Sequence, residues 1–145
     1  AGGTPVPSAV FAASDVRKAA TSNIDAFKGF PRGPLGLVTP DSLDWFGPAD
    51  KAGQAARFAW PAALPEVSIL YCYAGMGPAP VAQALGHGAR GIVLAGMGQG
   101  NAPGSVLDAL ERAAGNGVAV VRASRVDDGS VDRNVEVDDD ARLFL

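Results

Sequence analysis

Gly91-Ile92-Val93-Leu94-Ala95-Gly96-Met97-Gly98-Gln99-Gly100-Asn101 decides the fold. Gly91 to Ala95 is an apolar run too short for a helix and suited to a buried parallel strand. Gly96, Gly98 and Gly100 follow at alternate positions, where a chain without Cβ atoms turns sharply and leaves room for close approach. Asn101 closes the loop with a single amide side chain. Ser105 to Ala114 then reads as a helix, with Leu107, Leu110 and Ala114 on one face and Gly115 or Gly117 as its stop. A strand, a glycine loop and a helix in that order build a ligand site at the carboxyl end of a strand, beside a helix N-terminus.

The neighbouring segments repeat the alternation. Val67 to Tyr73 reads as a strand and Pro78 to Leu85 as a short helix, with proline accepted in the first turn and Gly86 near the end. Val118 to Arg122 reads as a third strand. Strands and helices alternating at this spacing predict βαβ units, a parallel sheet and right-handed crossovers. The expected class is α/β, a parallel sheet with flanking helices.

The first 60 residues have a different texture. Residues 1 to 8 are turn-rich and read as a mobile or poorly formed end. Gly33 to Val38 reads as a turn into a short strand. Phe27, Phe30, Trp45, Phe46, Phe58 and Trp60 are scattered without period. Stacking on single-stranded nucleic acid needs a run of interleaved Lys or Arg, and this stretch has only Lys28, Arg32, Lys51 and Arg57, so core packing against something larger is the expectation. After the third strand comes an acidic loop, Asp127 to Asp140, with a turn expected at Asp127-Asp128-Gly129. Leu143-Phe144-Leu145 reads as a strand cut short.

Composition narrows the function classes. The 145 residues carry a net charge of −3, which is no footprint for nucleic acid or an anionic membrane. No apolar run approaches the roughly 20 residues of a membrane span, and residues 1 to 10 lack the pattern of a signal peptide. Cys72 is the one cysteine, so an intramolecular disulfide or multi-cysteine metal site is excluded. It lies in an apolar strand and reads as a small core residue. His87 is the one histidine. It lies between helix and strand, at the amino end of the sheet, and reads as a solvated loop residue rather than a catalytic base. Glu136, Asp138, Asp139 and Asp140 lack the spacing of a calcium loop and read as a solvated charge run. Glu136 alternates with Val135 and Val137, which predicts a locally extended stretch with Glu136 facing away from them.

Gly98-x-Gly100-x-x-x-Gly104, with Arg125 just past the next strand, admits a nucleotide reading: pyrophosphate on the loop, a 2′-phosphate on Arg125. Pro103 removes a donor where a phosphate needs one. A small NADP-binding domain and a non-enzymatic protein-pairing module both stay open on these residues.

Several segments taken together resemble the bacterial type II L-asparaginases. Leu64 to Tyr73 is similar to the start of their C-terminal domain, and Gly91 to Asn101 to their glycine loop. Val120-Val121-Arg122-Ala123-Ser124-Arg125-Val126 and Glu136-Val137-Asp138-Asp139 are similar to later motifs. Asp15-Val16-Arg17-Lys18 through Asn23, Phe27-Lys28 and Gly33-Pro34-Leu35-Gly36 resemble the interdomain linker. The resemblance spans about residues 10 to 145. It implies a linker and remnant over 1–63 and a Rossmann-like C-terminal domain over 64–145, incomplete at both ends.

The resemblance further implies hydrolysis of L-asparagine and, in some members, of L-glutamine, to the acid and ammonia without a cofactor or metal. The family's threonine nucleophile and its Thr-Lys-Asp set lie in an N-terminal domain with no counterpart here. The chain is therefore expected to hold no catalytic residue and to be inactive alone. It would supply two substrate-binding residues, Asn101 and Glu136, to the active site of a neighbouring subunit, within an intimate dimer of a homotetramer. Asparagine rather than serine at position 101 points to asparagine as the preferred substrate. Type II membership implies a periplasmic location.

Overall fold

The computed structural model describes residues 7–47, 58–127 and 129–145. The chain divides into two compact units, Ala1–Ala59 and Trp60–Leu145.

The first unit is built from strands of three residues. β1 (Ser8–Val10), β4 (Gly36–Val38) and β5 (Leu43–Trp45) form an antiparallel sheet in the order β1-β4-β5, while β2 (Val16–Lys18) pairs antiparallel with β3 (Phe27–Gly29). The expected strand after Gly33-Pro34 is thus β4. Ser8 opens β1, so this end of the chain is ordered from there; residues 1–6 lie outside the described residues. Within the first unit the aromatic residues form no core of their own. Phe27, Phe30, Trp45, Phe46 and Phe58 are 39% to 90% exposed, because strands this short enclose no interior that could hold a ring; Trp60, which opens the second unit, is 93% exposed.

The second unit carries the α/β architecture. β6 (Val67–Tyr71), α1 (Ala79–Gly86), β7 (Gly91–Gly96), α2 (Gly104–Gly115) and β8 (Ala119–Ser124) follow in strict alternation. The sheet is parallel in the order β6-β7-β8, with Ile69 opposite Val93 and Val93 opposite Val121. Two crossovers of one hand moving in one direction place both helices on the same face. Ile92, Leu94 and Val120 point into that face and join Val81 of α1, Val106 and Leu110 of α2, Cys72 and Phe144 in one buried cluster. Val67, Ile69, Tyr71 and Val121 alternate to the other face and are exposed, as the period of two demands.

Glycine ends both helices. Gly88 (φ +84°) follows α1, and Gly117 (φ +83°) follows Asn116, whose amide donates to the Arg112 carbonyl at 2.9 Å. The terminal apolar run is not a strand. Residues 141–143 form a turn that drops Phe144 into the core, and the Leu145 N–H donates to the Val120 carbonyl at 2.8 Å. No helix of the described residues is long and apolar enough to cross a membrane.

Candidate functional site

β7 leaves the sheet at Gly96, and the loop closes at once. The Met97 N–H donates to the Asn101 carbonyl at 2.8 Å, and the Asn101 N–H returns to the Met97 carbonyl at 2.7 Å. Gly96 and Gly100 make this closure possible. A Cβ on Gly96 would stand 2.3 Å from the Gly100 carbonyl carbon, and Gly100 itself has φ +78°. Gly98 turns the loop at φ +51°, again in the region glycine favours.

The closure aims the Asn101 side chain. Its Oδ1 accepts the Ala102 N–H at 2.8 Å, which commits Nδ2 to the other direction, and Nδ2 donates to Glu136 Oε2 at 3.2 Å. Asn101 and Glu136 thus meet at the carboxyl rim of the sheet, 35 positions apart in sequence.

Glu136 does not lie in an extended stretch, contrary to the alternation of Val135 and Val137. Val137 is buried and Val135 is exposed. The cause is Asn134, which sits in the left-handed region at φ 59°, a conformation that Asn tolerates. Its Oδ1 accepts the N–H groups of Asp139 at 2.8 Å and Asp140 at 3.2 Å, and its own N–H donates to Asp139 Oδ2 at 2.8 Å. The acidic segment is therefore a folded loop around Asn134, with Glu136 at its exposed bend.

Nor is the acidic run uniformly solvated. Asp139 is 2% exposed and accepts two hydrogen bonds from the buried Arg122 of β8: Nε to Oδ1 at 2.6 Å and Nη2 to Oδ2 at 2.5 Å. Arg122 holds the Asp139 carboxyl below the usual carboxylate range, and Asp139 in turn raises the guanidinium. The exposed Asp140 pairs with Arg133, whose hydrogen bond lowers its carboxyl as well. Asp138 Oδ1 accepts the Ala141 N–H at 2.9 Å. No group of three or more His, Cys, Asp or Glu among the described residues could hold a metal ion. The turn expected at Asp127-Asp128-Gly129 includes Asp128, which lies outside the described residues.

Sequence reasoning missed Arg122 and Asp139 as partners. A signal was present: Arg122 shares the inward phase of β8 with Val120, and a buried cation requires a carboxylate. Gln99 was also missed. Its side-chain Oε1 accepts the Asp132 N–H at 2.9 Å.

The other candidates fall elsewhere. His87 is exposed at the end of α1, and Cys72 is fully buried as a free thiol. The Arg125 guanidinium donates to the Cys72 carbonyl at 3.1 Å, and its N–H donates to the Gly96 carbonyl at 2.8 Å. Arg125 thereby ties the strand ends together. A cleft of about 580 Å³ between α1 and α2, lined by Val81, Leu85, Ala109 and Ala113, includes neither Asn101 nor Glu136.

Comparison with known proteins bears on these residues. Residues 66–144 match the glutaminase/asparaginase C-terminal domain family. L-asparaginase 2 of Escherichia coli is 40% identical over 128 residues, 86% of this chain and 37% of that protein. A probable periplasmic L-asparaginase of Haemophilus influenzae is 38% identical over 139 residues, 94% of this chain and 40% of that protein. A glutaminase-asparaginase of Pseudomonas fluorescens is 35% identical over 130 residues, 87% of this chain and 36% of that protein. The chain spans about two-fifths of the length of these curated relatives.

Proposed function

The chain belongs to the glutaminase/asparaginase family through its C-terminal domain, and from that premise we propose that it supplies the substrate-binding wall of an L-asparagine amidohydrolase. Residues 64–145 act as the C-terminal domain and residues 1–63 as the segment that leads into it. The observation that carries the reading is the Asn101–Glu136 contact at the carboxyl rim, where ligands of open α/β sheets bind.

The chemistry follows from the two side chains. A carboxylate at Glu136 pairs with the α-ammonium of an amino-acid substrate through charge-assisted hydrogen bonds. Asn101 keeps that carboxylate oriented, because its Oδ1 is already committed to the Ala102 N–H. The nucleophile and the oxyanion donors come from outside these residues, and Asn101 and Glu136 enter the pocket of a neighbouring subunit. L-Asparagine is the substrate, with L-glutamine as the competing amide. The complete protein works in the periplasm, the location that the name of the Haemophilus influenzae relative gives for that protein.

The NADP reading fits less well. Gly100 packs against Arg122 instead of opening a cradle, and Pro103 lacks the N–H that a phosphate at the start of α2 would need. The deciding experiment is steady-state hydrolysis by the complete amidohydrolase that contains this chain. Glu136→Ala should cost about 2–3 kcal/mol in kcat/KM for asparagine, the scale of a lost charge-assisted contact. Activity of Glu136→Ala and Asn101→Ala within twofold of the parent would overturn the reading and favour a protein-pairing role.

A further inference from the structure

The Asn101–Glu136 hydrogen bond orients the carboxylate but does not by itself fix the spacing of the two loops. It is exposed and 3.2 Å long, and such a contact competes with water. The two residues also stand on separate loops that leave the sheet at different strands. Something else must keep the loops in register.

That register runs through Arg122. Its Nη1 donates to the Gln99 carbonyl of the glycine loop. Its Nη2 donates to the Asp132 carbonyl of the acidic loop at 2.9 Å, while Nε and Nη2 hold the Asp139 carboxylate. Gln99 Oε1 closes a second link by accepting the Asp132 N–H at 2.9 Å. Gly100 lies tight against the Arg122 stem, since a Cβ there would meet Cγ at 2.9 Å. One buried guanidinium therefore touches Gln99, two residues before Asn101, and Asp139, three residues after Glu136. Its planar fork suits this task, because several donors point in fixed directions at once.

We infer that Arg122, with Gln99 and Asp139, is a positioning residue for substrate binding: it locks the glycine loop to the acidic loop and so sets the spacing of Asn101 and Glu136. This rests on the substrate-binding reading above. Glu136 contacts the substrate's ammonium group, which is unchanged as the amide reacts. Its misplacement should weaken ground state and transition state alike, so the loss should appear in KM and not in kcat.

The test is a kinetic cycle in the complete amidohydrolase that contains this chain, using asparagine and measuring each variant's thermal midpoint alongside. Arg122→Lys keeps the charge but has no fork to reach both loops. It should raise KM about tenfold, equivalent to about 1.4 kcal/mol, with kcat within twofold. Gln99→Ala leaves the buried ion pair intact and should raise KM about threefold, as expected for one hydrogen bond. In a Glu136→Ala background both changes should leave KM unaltered, because the residue they position is gone. A purely structural role would lower kcat or the active fraction in every background instead, and that result overturns the inference. If Arg122→Lys does not fold, Gln99→Ala decides alone: an unchanged KM overturns the inference. If Glu136→Ala itself leaves KM unchanged, the substrate-binding reading has failed instead.

Discussion

Arg122 and Asp139 meet through two hydrogen bonds, of 2.6 and 2.5 Å, with side chains no more than 3% exposed. The pair joins the last strand of the sheet to the loop that carries Glu136. A buried charge whose partner is removed stays desolvated and uncompensated, and this asymmetry governs the first expectation.

Asp139→Ala should destabilise the chain by about 3–5 kcal/mol, the scale for breaking a buried ion pair from one side. Replacing both partners, Arg122→Met with Asp139→Leu, should recover much of that loss, because no charge is then stranded. Urea unfolding of the three proteins measures both values. A single variant as stable as the parent would show that the pair contributes no net stability.

The same pair gives a pH dependence. The hydrogen bond from Arg122 lowers the Asp139 carboxyl in the folded chain, below the unfolded value of about 3.9. Its stabilisation is fully present above the unfolded value and is lost as the pH falls through the lowered folded one. Thermal midpoints should be flat for this group from pH 7 to about 5 and decline below about 4. Asp139→Asn should make the acid decline shallower, and an identical slope would remove Asp139 as its source.

Gly96→Ala should open the glycine loop. The new Cβ would fall 2.3 Å from the Gly100 carbonyl carbon, and backbone cannot yield as a side-chain tip can. Strain of about 1–3 kcal/mol is expected, with faster hydrogen exchange at the Asn101 amide, which donates to Met97 in the closed loop. Unchanged exchange would mean that the closure tolerates a methyl group.

Phe144→Ala should cost about 3–5 kcal/mol, the range for deleting a buried aromatic ring. Phe144 is 1% exposed, and its N–H donates to the Asp139 carbonyl at 2.9 Å. The substitution therefore loosens the acidic loop as well as the core. Chemical denaturation reads the stability, and a loss under 1 kcal/mol, or about a fivefold change in the folding equilibrium, would place the ring outside the core's energetics.

The 145-residue chain by itself should release no ammonia from L-asparagine, since the proposed nucleophile lies outside it. Measurable turnover by the purified chain would show that it holds a nucleophile of its own.

The α/β layout was legible in the sequence because it depends on local pattern. Gly91 to Ala95 can only be a short buried strand, and Leu107, Leu110 and Ala114 mark one face of a helix. Those periodicities belong to neighbouring residues and survive without knowledge of the rest of the chain. The order of several motifs taken together singled out Asn101 and Glu136, and the structure joins the two by a hydrogen bond. The exposure of the aromatic residues of the first unit was not legible, because whether a ring is buried depends on how large an interior the surrounding strands enclose.

What only the tertiary structure decided is how distant polar groups share their bonds. Asn134 in a left-handed conformation folds the acidic segment, which sequence alternation had read as extended. Arg122 and Asp139 find each other across 17 positions, and Gln99 reaches Asp132 across 33. Hydrogen bonds of this kind carry no periodicity. Their geometry is set by where the sheet and helices place each backbone, so it exists only once the chain has closed on itself.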